Sequence, residues 1–330
     1  MNKTDLVYLF PGQGAQYQGM ALDFLDSKSP AVKKLFDQAS AIFKTGAYRF
    51  DSAESLLRDS DANSLKRTDL SQPALTLANL AAAAFLSEQG YEPKACAGFS
   101  LGEYAALACA GVISVEDCLR LVTVRGMAMQ RSVDCLREAA GGNPESAPGM
   151  AAVTGLAPEQ AEAIMVQWGA EGVYAANFNS PRQLVISGTA RALAEAEHRF
   201  KESGAKRVIR LQVAGPFHSP LVADAASAFS PFLESVTFND PEIPLYSNVT
   251  GKRIASGAEA KALALLHITS PVRWLAVQEV IAADIRCYGG TAACLEVGPG
   301  KVLQGLWKDS VSGIPCYAAG TVEDIRLIAL

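Results

Sequence analysis

The sequence predicts an α/β fold in which a parallel-sheet body is interrupted by a small inserted domain. Two short apolar runs, residues 5–10 and 94–98, each end in a glycine-containing turn, as strands of parallel β–α units do. Between residues 150 and 213 the pattern alternates in the order βαββαβ, which is typical of a ferredoxin-like unit. Because α/β character then resumes, the middle segment is predicted to interrupt one larger body.

The predicted elements follow from these periodicities in chain order. After the first strand, helices are predicted at residues 31–43, from Ser71-Gln72-Pro73 to about Glu88, at 101–110 and at 115–135. The inserted unit has predicted strands at 150–154, 173–177, 183–187 and 207–213, and predicted helices at 158–168 and 190–203. Beyond it, helices are predicted at 221–236 and 274–283, and strands at 245–249, 293–297 and 314–318.

The segment 139–149, AAGGNPESAPG, has no periodicity and indicates a domain boundary. We therefore predict a large catalytic domain made of residues 1–136 and 208–330. The small domain is predicted to span residues 137–207.

Composition limits the class of protein. A chain of 330 residues with 49% hydrophobic residues can bury a substantial core. The formal net charge of −5 argues against a partner that is nucleic acid or an anionic membrane, since both favour a basic surface. No signal peptide is predicted at the amino terminus, and the apolar segment 74–86 is shorter than the ~20 residues of a membrane span. Seven cysteines without a CxxC pair are typical of a reducing compartment, so a cytoplasmic protein is expected.

The pentapeptide GFSLG, residues 98–102, follows a predicted strand and precedes a predicted helix. In this context G-x-S-x-G forms a nucleophile elbow, which presents the Ser100 hydroxyl above the sheet and is typical of an α/β-hydrolase-like body. The amide of Leu101, at the start of the helix, is then suited to stabilise an oxyanion. An alternative is a capping box, in which Ser100 and Glu103 only satisfy the first amides of the helix.

The chain has three histidines to serve Ser100 as a base. His198 lies in a charged helix and is expected to be exposed, whereas His267 ends an apolar stretch and is expected to be a hydrogen-bonded residue of the core or of a helix end. His218 lies in the loop GPFHSP after a predicted strand, where no structural role requires an imidazole. His218 is therefore the candidate general base.

Two further polar residues stand in unusual surroundings. Arg125 lies on a helix among apolar neighbours, and such an arginine pairs with a carboxylate either of the protein or of a substrate. Gln13 lies in the loop FPGQG after the first strand. This loop lacks the third glycine of a dinucleotide-binding turn, so a nucleotide site is not expected there. Gln13 can instead offer a side-chain amide or a backbone N–H to an active site.

Together these motifs resemble the malonyl-CoA:acyl-carrier-protein transacylases and the acyltransferase domains of fatty-acid and polyketide synthases. The resemblance runs through the chain, in the ordered motifs FPGQGAQ, GFSLGEYAAL, RGMAMQ, ANFNSPRQLVISG, GPFHSPL, YSNVTG, SPVRW and EVGPGKVL. It implies malonyl transfer from malonyl-CoA to acyl carrier protein by a ping-pong mechanism, without a cofactor or a metal.

The resemblance also implies a role for each site residue. Ser100 is expected to be the nucleophile and His218 the base, the amides of Gln13 and Leu101 form the oxyanion hole, and Arg125 binds the malonyl carboxylate. The backbone carbonyl of His267 is expected to orient the base. Asn177 and Asn248 are expected to support the site.

One position departs from the family pattern, and it leaves alternatives open. Phe99 stands where most members have histidine before the nucleophile. The rival enzyme class is a serine hydrolase, which would use water as acceptor and an acidic triad residue; a degenerate, inactive scaffold is the non-enzymatic alternative. A monomer is expected, and the basic stretch Arg199, Lys201, Lys206, Arg207 and Arg210 is the candidate docking surface for acyl carrier protein, unless it is only a solvated helix face and strand edge.

Overall fold

The computed structural model describes residues 5–45, 51–143, 146–288 and 291–328. The described chain is a mixed α/β protein with one parallel and one antiparallel sheet. The parallel sheet has the order β7-β2-β1-β8-β9, with every recorded strand pair parallel. Its strands are β1 (Asp5–Phe10), β2 (Pro93–Gly98), β7 (Leu245–Tyr246), β8 (Ala292–Glu296) and β9 (Cys316–Ala318).

Helices cover both faces of the parallel sheet. Along β1, Leu6, Tyr8 and Phe10 pack into one hydrophobic core, whereas Val7 and Leu9 pack into another, as expected for a strand buried on both faces. The helices are α1 (Leu22–Asp26), α2 (Pro30–Thr45), α3 (Ala53–Asp59), α4 (Thr68–Glu88), α5 (Gly102–Cys109), α6 (Val115–Ala139), α9 (Ala223–Ser235), α10 (Gly257–Leu266), α11 (Trp274–Tyr288), α12 (Val302–Ser310) and α13 (Val322–Arg326). Short 3₁₀ turns lie at Ser64–Lys66 and Pro220–Val222.

The antiparallel sheet has the order β4-β5-β3-β6 and a hydrophobic core of its own. Its elements are β3 (Gly149–Thr154), α7 (Pro158–Gln167), β4 (Val173–Ser180), β5 (Gln183–Gly188), α8 (Ala190–Glu202) and β6 (Arg207–Arg210). The βαββαβ order is the predicted one. The predicted last strand is too long, because pairing ends at Arg210 and residues 211–213 line cavities instead.

Backbone contacts join this sheet to the body beside the site. At a bulge in β4, Asn177 forms a parallel bridge with Val272. Phe178 N donates to Val272 O at 2.8 Å, and Val272 N donates to Ala176 O at 2.8 Å. The bulge thereby fixes the SPV segment against β4.

Helix α4 begins earlier than the sequence predicts. A start at Ser71 to Pro73 was expected, but the helix begins at Thr68 and Pro73 lies inside it. A contact between distant segments explains the earlier start, because the Thr68 backbone N–H donates a hydrogen bond to Gln130 Oε1 of α6 at 2.9 Å. This helix is the one among the described ranges that is long and apolar enough to cross a membrane, yet 78% of its apolar window is buried inside the protein.

The sequence-based prediction also missed some helices and placed the end of another too early. Helices α1, α10, α12 and α13 were not predicted, and α6 runs to Ala139, beyond its predicted end and into the expected linker. Residues 144–145 of that linker lie outside the described residues. All seven cysteines are unpaired.

Candidate active site

The loops after β1, β2, β7 and β8 meet at one edge of the body, because the carboxyl ends of parallel strands lie on the same side. The sharpest turn follows β2. There Ser100 has a φ of 49°, and a Cβ on Gly98 or Gly102 would overlap with backbone atoms, of Gly102 and of Phe10 respectively. Both glycines are therefore needed for the turn that exposes Ser100.

The Ser100 side chain does not cap helix α5. Its Oγ lies 2.8 Å from Nε2 of His218, and the first residue before the helix, Leu101, provides no side-chain cap. The Glu103 carboxylate accepts the backbone N–H of Asn248 at 2.7 Å rather than an amide of its own helix. The geometry is therefore that of a nucleophile and a base and not that of a capping box.

The other ring nitrogen of His218 faces two backbone carbonyls. Nδ1 lies 3.0 Å from His267 O and 3.2 Å from Ser270 O. A carbonyl can only accept, so Nδ1 carries the proton and the lone pair of Nε2 faces Ser100. Burial and the positive charge of Arg125 lower the pKa of His218 to about 4, against the opposing effect of the two carbonyls. The imidazole is neutral at neutral pH and free to accept a proton.

His218 lies on a turn that the surrounding residues hold in place. Its φ is 56°, which is uncommon for a residue with a side chain. Ser187 of β5 donates a hydrogen bond to the carbonyl of Phe217, and Ser219 Oγ donates to Pro216 O at 2.6 Å. These bonds come from both sides of the turn and hold the imidazole towards Ser100.

The Gln13 side chain anchors its own loop. Its Nε2 donates to Ser71 Oγ at 2.9 Å, and its Oε1 accepts from Thr68 Oγ1 at 3.2 Å. Asn79 holds the same loop by donating to Pro11 O at 3.0 Å. With its side chain engaged in this way, Gln13 has its backbone N–H to offer to a substrate.

Asn248 ties the elbow together with its side-chain amide. Its Oδ1 accepts the Ser100 backbone N–H at 2.7 Å, and its Nδ2 donates to Gly98 O at 2.6 Å. Its own backbone N–H is held by Glu103, whose pKa burial raises to about 7. The sequence had marked Glu103 only as a cap, although a glutamate at this spacing from the nucleophile was the available signal.

Arg125 is completely buried and has no carboxylate within 4.0 Å among the described residues. Its Nη1 donates to Gln72 Oε1 at 2.9 Å, and its guanidinium carbon lies 5.4 Å from the centre of the Tyr104 ring. Its Nε and Nη2 have no hydrogen-bond partner among the described residues. These two nitrogens form one edge of the planar group, the edge that binds a carboxylate side by side. The protein-carboxylate alternative for Arg125 therefore finds no support in the described residues.

His267 caps the end of α10 and is fully buried. Its ring lies 5.2 Å from the His218 ring, between centroids. In the part of the chain that the structure describes, neither of its nitrogens has a hydrogen-bond partner, and Nδ1 lies 4.0 Å from Glu103 Oε1. The expectation of a hydrogen-bonded core histidine was therefore wrong for the side chain, because the interaction with His218 uses the main chain. The third histidine, His198, is exposed on α8 as expected.

A cavity of about 210 Å³ opens over Ser100 and His218. Among the predicted site residues it is lined by Gln13, Ser100, Asn177 and His218, whereas Leu101, Arg125, Asn248 and His267 are buried around it. Phe99 also lines it and packs edge-to-face on Trp274, with the ring centres 5.4 Å apart. Phe99 is thus held by aromatic packing and adds an apolar wall beside the nucleophile.

Comparison with known proteins places the chain in a family. The acyl transferase domain family matches residues 7–323. A malonyl CoA-acyl carrier protein transacylase of Bacillus subtilis is 36% identical over 327 residues, which cover 98% of this chain and 96% of that protein. A crystal structure of an acyl carrier protein S-malonyltransferase from Vibrio cholerae has a TM-score of 0.85 at 33% identity, covering 99% of this chain and 100% of the other.

A third similar structure is a malonyl-transacylase in complex with a type II polyketide-synthase acyl carrier protein. Its TM-score is 0.84 at 33% identity, and the match covers 98% of each chain. Family match, identity and structure therefore agree over nearly the whole length. This chain belongs to the acyl transferase domain family, beside the malonyl-CoA–acyl carrier protein transacylases.

Proposed function

We propose that the protein transfers a malonyl group from malonyl-CoA to the phosphopantetheine thiol of acyl carrier protein, through an ester on Ser100. The observation that carries this proposal is the 2.8 Å contact between Ser100 Oγ and Nε2 of a neutral, oriented His218. The malonyl-transacylase relatives support the substrate and the acceptor.

The proposed reaction has two balanced steps. His218 Nε2 takes the hydroxyl proton while Ser100 Oγ attacks the thioester carbonyl; the oxyanion is held by the amides of Gln13 and Leu101, and the departing CoA sulfur takes the proton from Nε2. The carrier thiol then gives its proton to Nε2 and attacks the ester. Ser100 Oγ leaves and recovers that proton. Product CoA departs before the carrier reacts, so the kinetics are ping-pong.

Arg125 selects the acyl group in this proposal. The malonyl carboxylate pairs with its free Nε and Nη2, and an acetyl group would leave them unpaired in a buried site. Because Arg125 has no exposed surface, the carboxylate reaches it only after neighbouring side chains shift to admit the substrate. Asn177 and Asn248 are proposed as supporting residues, and the carbonyl of His267 as the group that orients His218.

The test of the proposal is to incubate the protein with malonyl-CoA alone and to weigh it intact. A malonyl adduct that maps to Ser100 and disappears when acyl carrier protein is added supports the transfer. Adduct loss to water at the same rate without carrier protein would favour the hydrolase alternative, and absence of any adduct would favour the inactive scaffold. Ser100→Ala is the negative control, because it has no hydroxyl to form the ester.

The remaining features of the proposal concern architecture and partners. We assign the parallel sheet with its helices to an α/β-hydrolase-like catalytic domain and the antiparallel sheet to a ferredoxin-like inserted domain. The predicted bounds, 1–136 and 208–330 for the first and 137–207 for the second, divide α6 and β6, so we place the boundaries after Ala139 and after Arg210. The reaction needs no cofactor, because serine and histidine carry it. We propose a cytoplasmic monomer that binds no nucleic acid or membrane. Sedimentation and size-exclusion measurements test the oligomeric state.

Acyl carrier protein is acidic, so its docking requires positive charge on this acidic chain. The basic stretch on α8 and β6 is one candidate, although Glu195 and Glu197 pair with Arg199 and Lys201 on α8. We propose that Lys201 and Lys206 contribute to this docking. Reversing both charges should raise the Michaelis constant for carrier protein but not for malonyl-CoA. An unchanged Michaelis constant for carrier protein would exclude this surface as the docking site.

A further inference from the structure

A continuous series of hydrogen bonds joins the Arg125 guanidinium to the loop of Gln13. Arg125 Nη1 donates to Gln72 Oε1 at 2.9 Å, and Gln72 Nε2 donates to Thr68 Oγ1 at 2.8 Å. Thr68 Oγ1 donates in turn to Gln13 Oε1 at 3.2 Å. Because Thr68 and Gln72 lie in the first turns of α4, we call this series the α4 hydrogen-bond chain.

Every bond of this chain runs in the same direction. A guanidinium can only donate, so Gln72 presents its amide oxygen to Arg125 and its amide nitrogen to Thr68. The Thr68 hydroxyl accepts from Gln72 and keeps its proton for Gln13. Hydrogen bonds in such a series polarise one another, and this series starts at a buried positive charge. Each group is therefore oriented by the next one along the chain.

The α4 hydrogen-bond chain lies in a closely packed part of the body. The side chains of Thr68, Gln72 and Arg125 are fully buried. The Thr68 backbone is fixed by its bond to Gln130, and a Cβ on Gly126 would come within 2.7 Å of Thr68 O. Helices α4 and α6 are thus in close contact at this point, which holds the chain in place.

The two ends of the chain face the two ends of one short acyl group in the proposed reaction. A single methylene of malonyl-CoA separates the carboxylate from the thioester carbonyl. The carboxylate is assigned to the Nε and Nη2 edge of Arg125, and the oxyanion is assigned in part to the Gln13 amide. Such a substrate meets both groups only when their separation is correct, and a misplacement of about 1 Å can cost roughly 10²-fold in rate.

We propose that Gln72 and Thr68 are positioning residues for the choice of acyl group. They hold the carboxylate-binding edge of Arg125 at a fixed distance from the oxyanion loop of Gln13. The inference rests on the proposed function, because it takes malonyl-CoA as the donor. Both residues act through their neighbours in the chain and not by contact with the substrate.

The oxyanion loop does not depend on the α4 hydrogen-bond chain alone. When the bond to Thr68 is lost, Gln13 Nε2 still donates to Ser71 Oγ at 2.9 Å, and Asn79 still donates to Pro11 O at 3.0 Å. An acetyl group has no carboxylate and needs this loop without the guanidinium. Acetyl transfer should therefore be little affected by a break in the chain.

Arg125 has weaker support without the chain. Gln72 Nε2 would keep a contact of 3.2 Å with Met129 Sδ, but a thioether is a weak acceptor. The Gln72 amide would then be free to turn, and the guanidinium that donates to it would lose its fixed orientation. Malonyl transfer should therefore decrease more than acetyl transfer.

Thr68→Val tests the proposal, because it removes the hydroxyl and keeps the shape of the side chain. The readout is kcat/KM for acylation of Ser100, measured with malonyl-CoA and with acetyl-CoA. We expect the malonyl-to-acetyl ratio to fall about ten-fold, as for the loss of one or two buried hydrogen bonds. Gln72→Met, which removes the partner of Arg125, should lower the ratio at least as much. Thr68→Ser keeps the hydroxyl and should restore it.

Thr76→Val is the matched control. Thr76 lies on the same helix and is equally buried, and its Oγ1 has no hydrogen-bond partner among the described residues. The same substitution there breaks no bond of the chain, so the ratio should stay at the parent value. Urea denaturation provides a second measurement: the losses in the free energy of unfolding for Thr68→Val and Gln72→Met should not add in the double variant, because both break one chain.

Four outcomes overturn the proposal. An unchanged ratio in Thr68→Val excludes a role of the chain in selection, and an equal loss with both donors assigns Thr68 to the oxyanion loop or to the fold. A ratio that Thr68→Ser does not restore shows that the hydroxyl is not responsible, and additive losses in urea show independent bonds. Failure of the proposed function is distinguishable, because the parent protein would then form no malonyl-Ser100, whereas the urea measurement would still report on the chain.

Discussion

The imidazole of His218 donates its Nδ1 proton to the backbone carbonyl of His267 at 3.0 Å, where a hydrolase triad would have a carboxylate. A carbonyl fixes the ring and its tautomer as a carboxylate does, but it carries no full charge. Burial and the positive charge of Arg125 lower the pKa of the base to about 4, and the hydrogen bonds to the two carbonyls oppose this only in part.

The pH dependence of acylation follows from this pKa. The neutral base is present above pH 4 and is lost as the pH falls through that value, so the rate of malonyl-Ser100 formation should be level from pH 6 to 8 and fall with an apparent pKa of about 4. Single-turnover acylation, with circular dichroism to verify folding at each pH, measures it. An apparent pKa near the ordinary histidine value of about 6.5 would contradict the proposed environment.

The His267 side chain should be dispensable. Among the described residues its two ring nitrogens have no hydrogen-bond partner, and Nδ1 comes only within 4.0 Å of Glu103 Oε1, whereas its main chain holds His218. We expect His267→Gln to retain acylation within a few-fold, because the carbonyl remains. His218→Ala, which removes the base itself, should lose acylation by a factor of roughly 10² or more. A comparable loss in both variants would show that the His267 ring takes part in the reaction.

Asn248 should be required for the geometry of the elbow. Asn248→Ala removes the acceptor for the Ser100 amide and the donor to Gly98 O, so the strained turn loses both side-chain bonds. We expect a fall in kcat with little change in KM, together with a loss of about 1–3 kcal/mol in the free energy of unfolding. Urea denaturation and steady-state kinetics measure the two effects.

The exposed Asn239 provides the control for this variant. Asn239→Ala should change neither quantity. If Asn248→Ala acylates at the parent rate, Asn248 does not position the nucleophile.

Arg125 should determine the choice of acyl group. Arg125→Ala removes the Nε and Nη2 edge, so malonyl transfer should be lost while acetyl transfer rises relative to it. Competition between malonyl-CoA and acetyl-CoA, with purified acyl carrier protein as acceptor, measures the ratio. Arg131→Ala, an exposed position of the same helix, should leave the ratio unchanged. Equal losses with both donors would contradict the carboxylate-binding role.

Glu103 should make stability depend on pH. Burial raises its pKa from 4.5 to about 7, so the folded protein keeps this proton between those values. The stability is fully present below pH 4.5 and falls by about 3 kcal/mol as the pH rises through 7, because the buried carboxyl must ionise. Glu103→Gln keeps an acceptor for the Asn248 amide but cannot ionise. Its free energy of unfolding should therefore increase relative to the parent between pH 5 and 8.

The difference between variant and parent is the quantity to measure, since the lowered pKa of His218 affects the parent and the variant alike. The pKa of His267, whose Nδ1 lies 4.0 Å from Glu103 Oε1, is also lowered by burial, so its ring stays neutral as Glu103 ionises. Glu159→Gln, at an exposed position, should show no such difference. A constant difference across this pH range for Glu103→Gln would contradict the raised pKa.

The sequence alone determined much of this protein. Local periodicity and glycine placement predicted the strands at 5–10 and 94–98, the elbow at Ser100 and the βαββαβ order, because these depend on neighbours along the chain. The choice of His218 followed from having three histidines with distinct local surroundings. The resemblance in ordered motifs then gave the family, which the comparisons confirm.

Only the tertiary structure decided the contacts between distant segments. The early start of α4 depends on Gln130, and the Ser-x-x-Glu pattern could not show that Glu103 holds Asn248 instead of capping its helix. The edge of Arg125 that has no hydrogen-bond partner among the described residues is likewise set by packing. A hydrogen bond between residues far apart in the chain leaves no periodic signal, so the sequence named the groups and the fold determined their partners.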